Sequence, residues 1–178
     1  SNVLSMLRAT VFRRLLKAAQ FFKTAPGSIL ERMEQQANEM KELRQAVEKF
    51  KAEASLGEAK QVMASAKAVG GLHIITSTRQ GLDANALRTM GDFLRDKDPA
   101  VVAVLASITG EKVSFLAVCG KEAVAKGIKA GELVKSVSAV CGGKGGGKPD
   151  SAMGGGTDLL KVDDALATVD DFVSAKLG

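Results

Sequence analysis

The sequence predicts an α+β fold, in which a long N-terminal helical hairpin or coiled coil (residues 1–57) precedes a small mixed α/β domain (residues 58–178). The second part should contain a sheet of a few strands and a glycine-rich loop. Residues 29–54 carry a seam at regular heptad spacing that is apolar at every position except Gln36, which is typical of a coiled coil. After Gly57, short apolar segments alternate with helical ones, and eight glycines then fall within residues 142–156. The 178 residues are 46% apolar, which suffices for one folded domain with a helical extension.

A first helix is expected near the N-terminus, where apolar residues recur at spacings of three and four and so share one face. These residues are Leu4, Leu7, Val11, Leu15, Ala18 and Phe22. The segment before Glu31 contains no acidic residue. It can be interpreted as an organelle transit peptide or as a basic amphipathic helix, and the helix is the preferred interpretation. Pro26 ends this helix, and Ser28 with Glu31 has the form of a capping box that starts a second helix.

The second helix has the clearest periodicity in the chain. Its apolar seam includes five residues that are candidates for dimerisation: Met33, Met40, Leu43, Val47 and Phe50. A hairpin with its turn at Pro26 would let the first helix cover this seam. A second copy of the chain could cover it as well, and the sequence leaves both interpretations open.

The elements of the mixed domain follow from the change of pattern. The predicted helices and strands are a helix over 58–69, a strand over 72–78, a helix from Asp83 to about Arg95, strands over 101–108 and 112–119, and helices over 121–126, 131–140 and 163–176. Gly110 lies in the short connection between the two central strands, which predicts a hairpin there.

Several classes of protein are excluded by composition. The single histidine, His73, lies in an apolar strand, and Cys119 and Cys141 lack metal-ligand spacing, so we expect no metal site and no catalytic residues. The two unspaced cysteines suit a reducing compartment. No apolar run approaches the roughly 20 residues of a membrane span, and a cytoplasmic location is expected. The net charge of +5 permits a polyanionic partner.

The glycine segment is the most informative stretch. Glycines expose backbone N–H groups and admit close approach, which suits contact with phosphate, and Lys144 and Lys148 add positive charge. A flexible linker is the alternative interpretation. The run Gly142–Lys148 matches the glycine and lysine spacing of a P-loop, but Pro149 replaces the required hydroxyl residue, so a nucleotide triphosphate site is not expected. Further lysines upstream, at 121, 126, 129 and 135, predict a basic patch around the segment.

This glycine segment, with its Lys-Pro-Asp centre at 148–150, resembles the signature of the DHH-associated domain that ends alanyl-tRNA synthetases. Residues 129–134 resemble the segment before that signature, and residues 83–90 resemble the family's helix with a Leu-Arg pair. Residues 22–54 resemble the family's coiled-coil subdomain. One departure is Ser151, where the family often has a larger or aromatic residue.

The resemblance implies a module that binds the outer corner of tRNA, supports homodimerisation, and links the aminoacylation and editing sites of the whole enzyme. The predicted tRNA contacts are Gly142, Gly143, Lys144, Gly145, Gly146, Gly147, Lys148, Asp150, Gly154, Gly155 and Gly156, and the charge pattern adds Lys121, Lys126 and Lys129. ATP, magnesium and zinc would belong to domains of the synthetase outside this chain, so no cofactor is expected here.

The sequence leaves two alternatives open. The chain could be a purely structural self-association module in which the glycine segment has no ligand. It could also be the nucleic-acid-binding domain of a DHH-type phosphoesterase. The coiled-coil-like helix argues against the second alternative, because a catalytic domain should directly precede the glycine-signature domain in such an enzyme.

Overall fold

A computed structural model describes residues 2–178, which form six α-helices and six strands, with two short 3-10 turns. In chain order they are α1 (Asn2–Phe21), α2 (Ile29–Ala64), β1 (Lys67–Val69), β2 (Leu72–Gln80), α3 (Ala84–Lys97), β3 (Val101–Thr109), β4 (Lys112–Cys119), α4 (Lys121–Ala125), α5 (Ala130–Val140), β5 (Gly145–Gly147), β6 (Ser151–Gly156) and α6 (Val162–Leu177). The chain divides into two compact units, Ser1–Ala52 and Glu53–Gly178, called here the helical unit and the sheet unit. No helix of residues 2–178 has the length and apolarity needed to span a bilayer.

The helical unit contains α1 and the first part of α2, joined by a tight connection. Lys23 takes a left-handed backbone conformation with φ of 52° just after α1, and Ser28 closes a 3-10 turn by donating its N–H to the carbonyl of Ala25 at 3.0 Å. The start predicted near Ser28 is therefore confirmed, although the chain enters the helix through this turn rather than through a capping box. Ala19 and Ile29, on either side of the connection, are buried.

Helix α1 does not cover the seam of α2, so the closed hairpin expected from the sequence is not formed. Leu7 and Val11 of α1 are 57% and 65% exposed, and Leu43 of α2 is 62% exposed. Only the connection between the helices buries apolar side chains. The periodicity identified the apolar face of each helix correctly, but the two faces are not paired with each other.

The sheet unit is a single six-stranded mixed sheet with strand order β1-β2-β3-β4-β6-β5. Strands β2 and β3 are parallel and are linked by α3, whereas every other neighbouring pair is antiparallel. The N-cap predicted for α3 is confirmed, because the Asp83 carboxylate accepts a hydrogen bond from the Ala86 N–H at 2.8 Å. The predicted β3–β4 hairpin is confirmed as well, and Gly110 turns it with φ of 61°.

Two apolar layers enclose this sheet. On one face, Phe115 and Val104 belong to a core that includes residues of α5 and α6, such as Val134 and Val169. On the other face, Leu116 belongs to a second core that includes α3 and the C-terminal end of α2. Because both faces are covered, β3 is buried along almost its whole length, which explains why it is continuously apolar in sequence.

Two predictions between residues 57 and 69 are wrong. Helix α2 continues through Gly57 to Ala64 instead of ending near residue 57. A single glycine costs a helix only about 1 kcal/mol, and burial of Ala59 and Val62 in the sheet core offsets that cost. Residues 67–69 form the strand β1 rather than helix, because Gly70 and Gly71 both have positive φ and make a two-residue hairpin turn.

Candidate nucleic-acid interface

The glycine segment forms two strands at one edge of the sheet rather than a loop or a linker. Strands β5 and β6 pair antiparallel, and β6 also pairs with β4, so β5 is the edge strand. A turn of three residues, Lys148-Pro149-Asp150, joins them. We call residues 145–156 the glycine hairpin.

Most glycines of this segment are required by close packing. A Cβ on Gly143 would collide with the carbonyl of Gly155, one on Gly154 with the Ser138 hydroxyl of α5, and one on Gly156 would come within 2.6 Å of Cys141. Such distances leave no room for any side chain. The glycines therefore let α5 and the residues that follow it lie directly against β6.

Gly146 differs from the glycines that pack against α5 and β6. A Cβ at this position would meet no atom within 4 Å, and the residue is exposed. A Cβ on Gly142 would also meet no atom, but its φ of 72° is a backbone conformation that residues with a side chain rarely adopt. The predicted glycine contacts thus divide into a closely packed, partly buried group and an exposed group in and around β5.

The edge of β5 presents backbone groups that no neighbouring strand uses. Hydrogen bonds join Gly155 N–H to the Lys144 carbonyl and Lys148 N–H to the Ser151 carbonyl, both at 3.0 Å. Because bonded pairs alternate along an antiparallel ladder, Gly145 and Gly147 direct their N–H and C=O groups away from β6. Exposed N–H groups of this kind can bind phosphate oxygens.

The turn of the glycine hairpin is held from both sides. The Pro149 carbonyl accepts a hydrogen bond from the N–H of Ala130, the first residue of α5, at 2.8 Å. The Asp150 carbonyl accepts one from the Cys119 N–H at 3.0 Å. The Asp150 carboxylate pairs with Arg95 of α3 at 3.2 Å. Asp150, predicted as a tRNA contact, is thus engaged within the chain and fixes the turn on α3.

Lysines surround the exposed side of the glycine hairpin. Lys144 and Lys148 are exposed, and Lys129 and Lys135 line a groove with Gly145–Gly147. Lys121 lines a neighbouring groove with Arg95 and Asp150. Within residues 2–178, none of these five lysines forms an ion pair. Their charges are therefore available to a partner.

Lys126 is the one predicted lysine that the structure does not bring into this group. It follows the end of α4, and its Nζ donates to the carbonyl of Gly70 at 3.1 Å. Gly70 belongs to the β1–β2 turn, at the opposite edge of the sheet from β5. The lysine spacing in the sequence did not reveal this separation, because it depends on where α4 is placed by the fold.

The acidic groups near the glycine hairpin are matched by internal partners. Glu132 accepts from Lys176 at 2.9 Å, and this hydrogen bond and the charges of Lys176 and Lys129 hold the pKa of Glu132 below its usual value. The Asp150 carboxylate is paired with Arg95. The surface consequently keeps a positive balance around β5.

Two arginines of α3 also border the glycine hairpin and were missed from the sequence. Arg88 and Arg95 line a groove with Lys148 and Ser151. The signal that could have found them is the spacing of Arg88, Asp92 and Arg95, which places all three on one helix face. The segment 83–90 had been linked to the glycine signature only through the family resemblance.

The five candidate dimerisation residues all lie on the surface of the helical unit. Met33, Met40 and Val47 are 46%, 52% and 49% exposed, and Leu43 and Phe50 are 62% and 71% exposed. We call these five residues the α2 seam. It forms an apolar stripe at heptad spacing, interrupted only at Gln36, that residues 2–178 leave exposed.

Three comparisons relate this geometry to known proteins. The family model of the DHHA1 domain matches residues 71–175, more than half of the chain. The alanine–tRNA ligase of Burkholderia mallei (strain NCTC 10229) is 38% identical over 164 residues, which cover 92% of this chain and 19% of that protein. The alanine–tRNA ligase of Bacillus mycoides (strain KBAB4) is 39% identical over 161 residues, covering 90% and 18%. The chain thus spans about one fifth of the length of the curated relatives it matches.

A solved structure agrees with these sequence matches. The crystal structure of the C-Ala domain of Aquifex aeolicus alanyl-tRNA synthetase is similar, with a TM-score of 0.58 and 28% identity. The similarity covers 62% of this chain and 98% of that chain. The resemblance stated from the glycine signature is therefore confirmed by both sequence and structure.

Proposed function

The chain belongs to the DHHA1 domain family, and on that premise we propose that it is the C-terminal tRNA-binding and dimerisation module of an alanine–tRNA ligase. In this proposal it holds the outer corner of tRNA and helps to deliver the molecule to aminoacylation and editing sites elsewhere in the enzyme. The module has no catalytic centre and no cofactor of its own, and it acts in the cytoplasm.

One observation carries the tRNA-binding proposal: unpaired lysines surround an exposed backbone edge made of glycine. Lys129, Lys135, Lys144 and Lys148 form no ion pair with an acidic side chain among residues 2–178. The absence of side chains on Gly145–Gly147 lets a sugar-phosphate backbone approach β5 closely.

The chemistry of this surface fits recognition of RNA shape rather than of sequence. Lysine and backbone N–H groups bind phosphate oxygens, which position a nucleic acid without identifying its bases. With no Trp and no Tyr in the chain, aromatic stacking platforms are scarce. The module is therefore expected to bind folded tRNA through its backbone, and discrimination between tRNAs is left to other parts of the enzyme.

Binding of folded tRNA by the wild-type chain and by a Lys144→Ala/Lys148→Ala variant tests this proposal. The wild type should bind with a dissociation constant of about 1 μM or below at low salt. Because each lysine on a phosphate adds about one to the slope of log affinity against log salt, the variant should lose about two from that slope. A Lys60→Ala/Lys67→Ala variant removes the same charge from the β1–β2 side of the sheet, opposite to the glycine hairpin, and should keep the wild-type slope. Wild-type binding that does not change with salt would contradict the proposal.

The finer proposal of dimerisation is supported by the α2 seam. Its five apolar residues are exposed along one stripe, and at heptad spacing such a stripe is suited to a second helix of the same kind. A second copy of the chain would bury the seam that α1 leaves open. The two proposals are independent, since the seam and the glycine hairpin lie in different units.

Sedimentation equilibrium of seam variants tests dimerisation. Met40→Lys/Leu43→Lys places two charges in the seam and should convert a dimer to a monomer. The matched control, Asn38→Lys/Gln45→Lys, adds the same charges on the opposite face of α2 and should remain dimeric. A Met40→Lys/Leu43→Lys variant that stays dimeric would exclude the seam as the interface.

A further inference from the structure

Strand β2 has an open edge at the side of the sheet opposite to the glycine hairpin. It is nine residues long, whereas its neighbour β1 has three residues and pairs only with Leu72, His73 and Ile74. From Ile75 to Gln80, β2 is paired with β3 on one side and with no described strand on the other.

The direction of the unused backbone groups follows from the neighbouring hydrogen bonds. His73 N–H donates to the Ala100 carbonyl at 2.9 Å, and Gly81 N–H donates to the Ile108 carbonyl at 2.8 Å, so odd-numbered residues face β3. Successive residues of a strand address opposite edges. Thr76, Thr78 and Gln80 therefore direct their N–H and C=O groups to the open edge.

Apart from the charge of Arg79, which pairs with Glu58, this edge lacks the features that usually protect a free strand. Thr76 and Thr78 are exposed and β-branched, and no proline or lysine interrupts residues 75–80. Among residues 2–178, no backbone or side-chain group donates to the carbonyls of Thr76 and Thr78 outside the sheet ladder. The edge is thus available to a further strand.

The groove beside this edge is acidic. It is lined by Thr76 and Thr78 on one side and by Asp163 and Asp170 of α6 on the other. Lys67 also lines it, but its Nζ is held by Asp170 at 2.8 Å. Asp163 has no ion-pair partner within residues 2–178, so the groove keeps a negative charge. Phosphate groups are repelled by such a groove, whereas a basic peptide is attracted.

We propose that the open edge of β2 binds an extended, basic peptide segment of a partner protein by β-strand addition. The peptide backbone hydrogen-bonds to Thr76, Thr78 and Gln80, and its Lys or Arg side chains lie towards Asp163 of α6. This docking surface goes beyond tRNA binding and does not depend on it. The protein would then bind RNA at one edge of its sheet and protein at the other.

The test measures binding of the intact chain to a fluorescent peptide in which lysine and valine alternate. Fluorescence anisotropy reports the bound fraction of the peptide. Thr78→Pro removes the N–H that points to the open edge without breaking the β2–β3 ladder, because edge strands tolerate proline there. It should weaken binding by about tenfold or more, as expected for a lost hydrogen bond and a blocked strand. Thr78→Val keeps the N–H and should bind within about twofold of the wild type. Asp163→Asn should weaken binding, and a glutamate–valine peptide should bind at least about tenfold more weakly.

Hydrogen exchange keeps the proposal testable if Thr78→Pro fails to fold. In the wild-type chain, the amides of Thr76 and Thr78 should exchange more slowly once the lysine–valine peptide is added. Unchanged exchange at both residues, or equal binding by Thr78→Pro and the wild type, would overturn the proposal. If the free chain self-associates and Thr78→Pro abolishes this, the open edge binds a second copy of the chain. That result would overturn the proposal that a partner peptide binds there.

Discussion

The helical unit and the sheet unit use the same apolar residue types in opposite ways. Phe115, in the sheet unit, is completely buried, whereas Phe50, in the helical unit, is 71% exposed. Both lie on apolar stripes that the sequence predicts. Periodicity therefore identifies the helix face that must be covered, but it does not say whether the chain or a partner covers that face.

The largest expected effect concerns the two cysteines, which are completely buried in the sheet unit, while the helical unit contains no cysteine. Burial, with a smaller contribution from Asp150, raises the pKa of Cys119 to about 12, so its thiol stays protonated and unreactive in the folded chain. Alkylation of either cysteine at pH 8 should be about a thousandfold or more slower in the folded than in the unfolded chain. Iodoacetamide labelling followed by mass spectrometry measures both rates. Fast labelling of the native chain would show that the sheet unit opens locally.

The raised pKa also gives a pH dependence with a definite sign. The pKa of the Cys119 thiol is near 9 in the unfolded chain and about 12 in the folded chain. The protonated thiol therefore contributes to the stability of the folded chain, and this contribution is complete below pH 9. That contribution should be lost as the pH rises from about 9 towards 12. A Cys119→Ala variant, compared by urea unfolding at pH 8 and pH 10.5, should lose less stability over this interval than the wild type.

The next largest effect is expected on the free energy of unfolding, when Phe115 and Phe50 are each replaced by alanine. Phe115→Ala should lower the free energy of unfolding by about 3–5 kcal/mol, because it leaves a cavity in a closed core. Phe50→Ala should change it by less than about 0.5 kcal/mol when the protein is dilute enough to be monomeric. Urea unfolding measures both values. Similar losses for the two variants would show that Phe50 is covered within the chain.

The glycine hairpin should show a smaller contrast of the same kind. Gly143→Ala should cost about 1–3 kcal/mol, since its Cβ would collide with the Gly155 carbonyl, which is backbone and cannot rotate away. Gly146→Ala, in open space, should be neutral or stabilise the chain by up to about 1 kcal/mol. Urea unfolding again measures both, and an equal cost at the two positions would mean that β5 is more tightly enclosed than described.

The smallest stability effect is expected at Arg95. Its ion pairs with Asp92 and Asp150 are partly exposed to solvent, so Arg95→Ala should cost less than about 1 kcal/mol. Removal of Arg95 leaves the Asp150 carboxylate, in the turn of the glycine hairpin, without its ion-pair partner. Because this negative charge repels phosphate, tRNA affinity should fall. Asp150→Asn in the same background should restore part of that affinity, and a failure to do so would show that Arg95 acts on tRNA directly.

Local signals allowed much of the sheet unit to be predicted from the sequence. The Asp83 cap of α3 and the β3–β4 hairpin were found because each depends on a few adjacent residues. Strands β5 and β6 were not found, because Gly145–Gly147 and the glycines of Ser151–Gly156 carry no alternation of apolar and polar residues. They are strands because β4 offers an edge to pair with and α5 approaches too closely for side chains. The same limit applies to Lys126, whose distance from the glycine hairpin is set by the tertiary fold.

The RNA-binding surface is tested most directly by adding folded tRNA to the nitrogen-15-labelled chain. The backbone amide signals are recorded by NMR during this titration. If the glycine hairpin binds the RNA, the signals of Gly145, Gly146, Gly147 and Lys148 shift or broaden, while those of Thr76 and Thr78 at the opposite edge do not. A chain that binds tRNA with the signals of Gly145–Gly147 unchanged would contradict the assignment of the glycine hairpin as the RNA-binding surface.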